Sequence, residues 1–104
     1  MTFAELKIKL QGSGLPVAYR LWPEGAAPPL PYLLYYEDSA ETLKADGGVY
    51  YRRSNVVVEL YSKYKDPAAE AALETALVGL GWQKDYEQYL DTEHMMMCSY
   101  SFEV

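Results

Sequence analysis

Between Val56 and Val104 the apolar residues change period twice, and this limits the fold more than any other feature. Val56, Val58 and Leu60 alternate with Val57, Glu59 and Tyr61, the period of a strand with two unlike faces. Asp66-Pro67 then has the chemistry of a helix start, an N-cap aspartate followed by proline at the first helical position. Ala69, Leu73, Ala76, Leu77 and Leu80 follow at helical spacing, with Glu70 and Glu74 on flanking positions and Gly79 and Gly81 ending the helix. The period then returns to two. Trp82–Leu90 and Met95–Val104 read as strands joined by the turn Asp91-Thr92-Glu93-His94. Met96, Cys98, Tyr100, Phe102 and Val104 form one apolar face of the last strand.

The first half of the chain needs local chemistry as well as period. Thr2-Phe3-Ala4-Glu5 has capping-box spacing, and Phe3, Leu6 and Leu10 share a face, which predicts a helix over 3–11 stopped by Gly12-Ser13-Gly14. Leu15-Pro16 opens a strand over Val17–Trp22 that Pro23 ends. Four prolines within Pro23–Pro31 remove donors and fix φ, so this stretch reads as an extended, unpaired segment, either a stiff connector or an arm lying on a neighbouring subunit. Tyr32–Glu37 is apolar on both faces and reads as a buried strand. Asp38–Gly48 is polar, ends in the turn residues Asp46-Gly47-Gly48, and reads as a loop too long for a simple hairpin. Val49–Arg53 and Val56–Lys63 make one long strand or two, with Ser54-Asn55 marking a bulge or bend between them. The expected fold is α+β: a single domain over 1–104, in the order α-β-β-β-α-β-β, with a mainly antiparallel sheet and both helices on one face.

Charge and composition narrow the function classes. The chain has 104 residues, half of them hydrophobic, with nine basic against fifteen acidic residues and a net charge of −6. This argues against a protein that binds nucleic acid by neutralising phosphates, and against a polybasic membrane anchor. No run of about 18 apolar residues is present, and Met1–Gln11 carries Glu5, Lys7 and Lys9 where a signal peptide needs an apolar stretch. The charge is uneven: residues 1–65 carry a net +1, whereas residues 66–104 carry −7 with Lys84 as their only base. That asymmetry suits head-to-tail contact with a copy or partner, or simply an acidic solvent face.

The residue patterns point away from catalysis. Cys98 and His94 are the only cysteine and histidine; on one strand they stand roughly 13 Å apart, beyond the reach of a base to its nucleophile. The pairs Glu37/Asp38, Asp85/Glu87 and Asp91/Glu93 follow no metal or hydrolase motif and read as solvated carboxylates. Gly12-Ser13-Gly14 and Gly79-Leu80-Gly81 are too short for phosphate loops, and the sulfurs of Met95-Met96-Met97-Cys98 alternate faces in a strand. Tyr50-Tyr51-Arg52-Arg53 is the nearest approach to a base-stacking platform, but a cross-strand aromatic patch with cationic neighbours explains it equally well. The expectation is a non-enzyme with no catalytic residues, no metal and no cofactor. Its eleven tyrosines suit strands and a self-association surface.

One set of residues goes further. Leu15-Pro16-Val17-Ala18-Tyr19, Pro23-Glu24-Gly25 and Ala27-Pro28-Pro29-Leu30-Pro31-Tyr32 come first. Ala45-Asp46-Gly47, Val49-Tyr50-Tyr51, Val58-Glu59-Leu60-Tyr61, Lys65-Asp66-Pro67 and Tyr100-x-Phe102-Glu103-Val104 follow in order. The ordered set resembles a family of small proteins encoded among head and tail morphogenesis genes in phages and prophages of Gram-positive bacteria. Its α+β pattern is similar to the tail-terminator and tail-completion proteins of long non-contractile tails. The resemblance implies a tail-terminator-like domain that forms a ring with copies of itself, commonly six-fold. Such a ring caps the tail-tube protein at the head-proximal end and meets the head–tail connector protein. DNA would be only passing cargo and no membrane would be involved. The implied location is the tail or neck of the virion, with the host cytoplasm during assembly. Other neck or head-closure roles, and a small monomeric protein acting on a host partner, are the alternatives. Candidate subunit or partner contacts are Pro28, Pro29 and Leu30 on the proline segment, Thr42, Leu43 and Lys44 in the polar loop, and Tyr50, Tyr51 and Arg52 after it.

Overall fold

Local capping sets the two helices where their sequences place them. In the computed structural model, which describes every residue but Asp46 and every other side chain but those of Ala45, Val49 and Tyr50, α1 spans Phe3–Gln11. The Thr2 hydroxyl accepts from the Glu5 N–H at 3.1 Å, and the Glu5 carboxylate accepts from the Thr2 N–H at 3.2 Å, closing the capping box. α2 spans Pro67–Ala76 and begins with the Asp66 carboxylate accepting from the Ala69 N–H at 3.0 Å. It stops three residues before the first glycine: Leu77 caps it, and Gly79, at φ 90°, serves the turn that follows.

The strands are β1 (Val17–Tyr19), β2 (Tyr32–Ala45), β3 (Val49–Ser62), β4 (Gln83–Leu90) and β5 (Met95–Glu103). With the helices they give the order α-β-β-β-α-β-β, an α+β fold. The sheet runs β1-β2-β3-β5-β4, with β1 parallel to β2 and all other pairs antiparallel. Both helices pack on one face. Leu6 and Leu10 of α1, with Ala69 and Leu73 of α2 and its cap Leu77, meet Leu33, Tyr35, Val56, Val58, Leu60, Cys98, Tyr100 and Phe102. The alternating residues of β3 and β5 are therefore the centre of the core, as their period requires. β4 adds no fully buried residue: from Gln83 to Tyr89 it is exposed throughout.

Four expectations are corrected. The polar stretch Asp38–Gly48, expected as a loop, is strand as far as Ala45: β2 continues through it, with Ser39 opposite Asn55 and Leu43 opposite Tyr51. Over Ser39–Lys44 both faces are in solvent, so no apolar alternation marks this part, and backbone pairing with β3 makes it a strand. The bulge lies across from Ser54-Asn55 rather than on it. Glu37 faces Val56 and Ser39 faces Asn55, leaving Asp38 as the extra residue of β2, while β3 runs unbroken. β1 ends at Tyr19 because Arg20 takes φ 69° and turns the chain out of the strand. Glu70, read as a flanking helix position, is 8% exposed. The turn at Gly47 and Gly48, at φ 87° and 81°, needs glycine as expected; Asp46, the third residue of that reading, lies outside the described residues.

Candidate assembly surface

The continuation of β2 and β3 past the core makes a two-stranded arm. The helices, β1 and β5 all end short of it: β1 pairs β2 only as far as Tyr35, and β5 pairs β3 only from Asn55. The molecule measures 52 × 28 × 23 Å. A Cα radius of gyration of 15.1 Å exceeds the roughly 13 Å expected of a compact chain near this length. Ser39–Lys44 and Tyr51–Arg53 are all exposed. A lone hairpin is at best marginally stable in water, so this arm depends on its root.

The root is polar and branched around Glu37. The Arg52 guanidinium lies 3.0 Å from one Glu37 oxygen, and the Ser54 hydroxyl donates to the other at 3.3 Å. Asn55 donates to the Ser39 hydroxyl at 2.7 Å across the bulge, and Arg53 stands 3.4 Å from Glu103. Ser54 and Val104 exchange both backbone hydrogen bonds at 2.9 Å, and there β5 stops. The step left beside the arm is a notch of about 350 Å³ lined by Leu43, Tyr51, Arg52, Arg53, Glu103 and Val104.

The far end of β2 carries the proline segment. β2 spans roughly 43 Å from Tyr32 to Ala45 at the usual rise per residue, so the segment and the arm tip lie at opposite ends of the molecule. No strand forms over 20–31. The chain leaves β1 across the sheet face that no helix covers: the Arg20 guanidinium stands 5.0 Å from the Tyr36 ring centroid, and Trp22 packs edge-on to Tyr32 at 5.6 Å. Tyr32 in turn contacts Tyr61 at 5.5 Å. Burial, followed by the neighbouring Glu59 carboxylate, pushes the Tyr61 phenol well above its usual range, and that phenol donates to Glu59 at 2.9 Å. Tyr32, Tyr36 and Tyr61 thus line this open face.

The candidate contacts divide accordingly. Thr42 stands opposite Arg52 and Leu43 opposite Tyr51, so these four share the arm; Leu43 and Tyr51 are 49% and 61% exposed. Lys44 is opposite Tyr50, whose side chain lies outside the described residues. Pro28 and Leu30 are half-buried and Pro29 is exposed, at the other end of the molecule. Glu37, Arg53 and Glu103, which fasten the arm, were missed. The alternation Leu33, Tyr35, Glu37 was the available signal, since it carries a carboxylate onto the core face just where the core ends.

The groups with chemical potential form one cluster elsewhere. Oxygens of Glu70 and Glu87 and the Cys98 sulfur lie within 4.8 Å of one another. Two ammonium groups already occupy the space between the carboxylates. Lys84 lies 2.8 Å from each carboxylate, and Lys65 lies 2.8 Å from Glu70 and 2.9 Å from Glu87. Burial pushes Glu70 up, but the two lysines outweigh it and hold its carboxyl below the usual range. The same lysines lower Glu87 to about 2. Burial and Glu70 raise the Cys98 thiol, which leaves it protonated and a poor nucleophile. His94 is exposed, in the turn before β5, at φ 53°. The arrangement is a clamp joining α2 to β4. Among the described residues no helix is long and apolar enough to cross a membrane. Compared with known proteins, the chain matches no family model and no curated sequence.

Proposed function

We propose that this protein is a structural subunit of a phage with a long non-contractile tail, forming a ring at the head-proximal end that terminates the tail tube and joins it to the head connector. The observation that carries this reading is the hairpin arm: a strand pair whose described side chains, Ser39–Lys44 and Tyr51–Arg53, are all exposed has little to stabilise it in a monomer and needs a neighbour to cover it. The proline segment at the opposite end offers a second, different contact surface, and unlike surfaces meeting head to tail generate rings when the rotation closes. The ordered motifs from Leu15 to Val104 that resemble phage morphogenesis proteins supply the tail context. A net charge of −6 fits a channel that DNA crosses without adhering. The test is disruption of the gene in the parent phage, followed by electron microscopy. Tails of uncontrolled length, unattached to heads, are expected; tails of normal length on filled heads overturn the reading.

A further inference from the structure

Unpaired backbone is distributed unevenly around this sheet. At one margin β1 leaves three residues and covers only Leu33–Tyr35 of β2, so the outer edge of β2 beyond Tyr35 is open as well; at the other margin β4 leaves eight. The arm adds a further free edge: because β5 stops at the Ser54–Val104 pair, residues 49–53 of β3 run on without a neighbour on that side. Such rows of unpaired N–H and C=O groups are templates for another strand.

Charge distinguishes the two strands of the arm. Arg52 and Arg53, with side chains 67% and 54% exposed, lie on the β3 strand, while the β2 strand carries Glu41 and Lys44. β4 and the turn after it carry Asp85, Asp91 and Glu93, none of them in an ion pair among the described residues, and Lys84 is held by Glu70 and Glu87. Lengths also agree. Past the register shift between Lys84 and Tyr86, β4 runs regularly over Tyr86–Leu90, five residues against the five of 49–53. Tyr86 and Tyr89 are 50% and 44% exposed.

We propose that the arm of one subunit adds edge to edge to β4 of a second copy of this chain, residues 49–53 beside Tyr86–Leu90, with a tyrosine of that β4 filling the notch at the arm's root. The inference rests on the ring reading above and names the contact that builds it. With the strands antiparallel, Arg53 beside Tyr86, the arginine pair comes next to Asp85 and Tyr86 next to the notch; Glu41 and Lys44 on the other strand of the arm offset each other in charge, so the β3 edge is the one favoured. The present partner of Arg53, Glu103, is a surface carboxylate 56% exposed, a weak kind of pairing that exchanges readily for an intermolecular one, while Arg52 stays on Glu37 at the arm's root with its outer face free. Each copy offers one arm and one β4 edge, so the contact is heterologous and the sheet continues from subunit to subunit.

Two cysteines test the pairing. Tyr51→Cys and Gln88→Cys are placed together on a Cys98→Ala chain and treated with a short bis-maleimide at protein concentrations up to about 1 mM. A covalent ladder is expected from the double variant and none from either single one. Arg52→Glu with Arg53→Glu should weaken association by about tenfold or more, and Asp85→Lys added to that chain should restore it. Rings seen by electron microscopy without a ladder overturn the edge pairing and leave the ring reading standing. A chain that stays monomeric without a ladder over the whole range overturns the edge pairing. A ladder from this chain, together with normal tails in the gene-disrupted phage, keeps the pairing and overturns the tail reading.

Discussion

Leu77 shows how much one side chain can hold. It is fully buried at the point where α2 ends, against both helices and the sheet. It terminates the helix by capping rather than by continuing it, so truncation removes core volume without disturbing the helical repeat. Leu77→Ala is expected to cost about 2–5 kcal/mol, the range for a fully buried leucine that leaves a cavity. Urea unfolding measures this, and a loss under about 1 kcal/mol would mean that the site collapses around the shorter side chain.

β4 is the element with least to hold it. Its residues from Gln83 to Tyr89 are exposed, so beyond its backbone pairing with β5 it depends on the clamp of Lys65, Glu70, Lys84 and Glu87. The clamp has a pH signature. Glu87 is lowered from an ordinary 4.5 to about 2, chiefly by hydrogen bonds from Lys84 and Lys65. A carboxyl depressed in the folded state contributes stability that is present above the ordinary value and is lost as pH falls through the folded one. Stability should therefore decline between about pH 4.5 and about pH 2, and Glu70, lowered by the same lysines, adds to the slope. Glu87→Gln removes the titrating group and should flatten that decline. Urea midpoints across this pH window make the comparison; identical slopes for the two chains would show that the clamp contributes nothing.

For the whole molecule the arm decides shape and partnership separately from the core. No described residue between Ser39 and Asn55 belongs to the core cluster, so the arm should be removable. Replacing Glu41–Arg53 with Asn-Gly joins Ala40 to Ser54, which already face each other, by a two-residue turn suited to a hairpin. The shortened chain should keep its melting temperature within a few degrees and lose association. Small-angle scattering should also register the change: the full monomer has a Cα radius of gyration of 15.1 Å, and the shortened one should approach the roughly 13 Å of a compact domain. An unfolded shortened chain would make the arm part of the fold and sink this division of labour.

By itself the sequence determined whatever depends on neighbours a few residues away. The capping box at Thr2, the Asp66-Pro67 helix start and the alternation of Val56, Val58 and Leu60 each act within about a turn or a strand, so element order and core face were readable in advance. The tertiary structure alone decided what depends on pairing across the chain. Ser39–Lys44 is a strand only because β3 lies beside it, and Glu37 becomes the arm's anchor only because the bulge at Asp38 brings Arg52 and Ser54 to it. Glu70 and Glu87 form a clamp because α2 and β4 meet, seventeen residues apart in sequence and bridged by the Lys84 ammonium at 2.8 Å from each. Local patterns encode burial and turn chemistry; backbone partners and ion pairs over such distances are set by the register of the folded sheet.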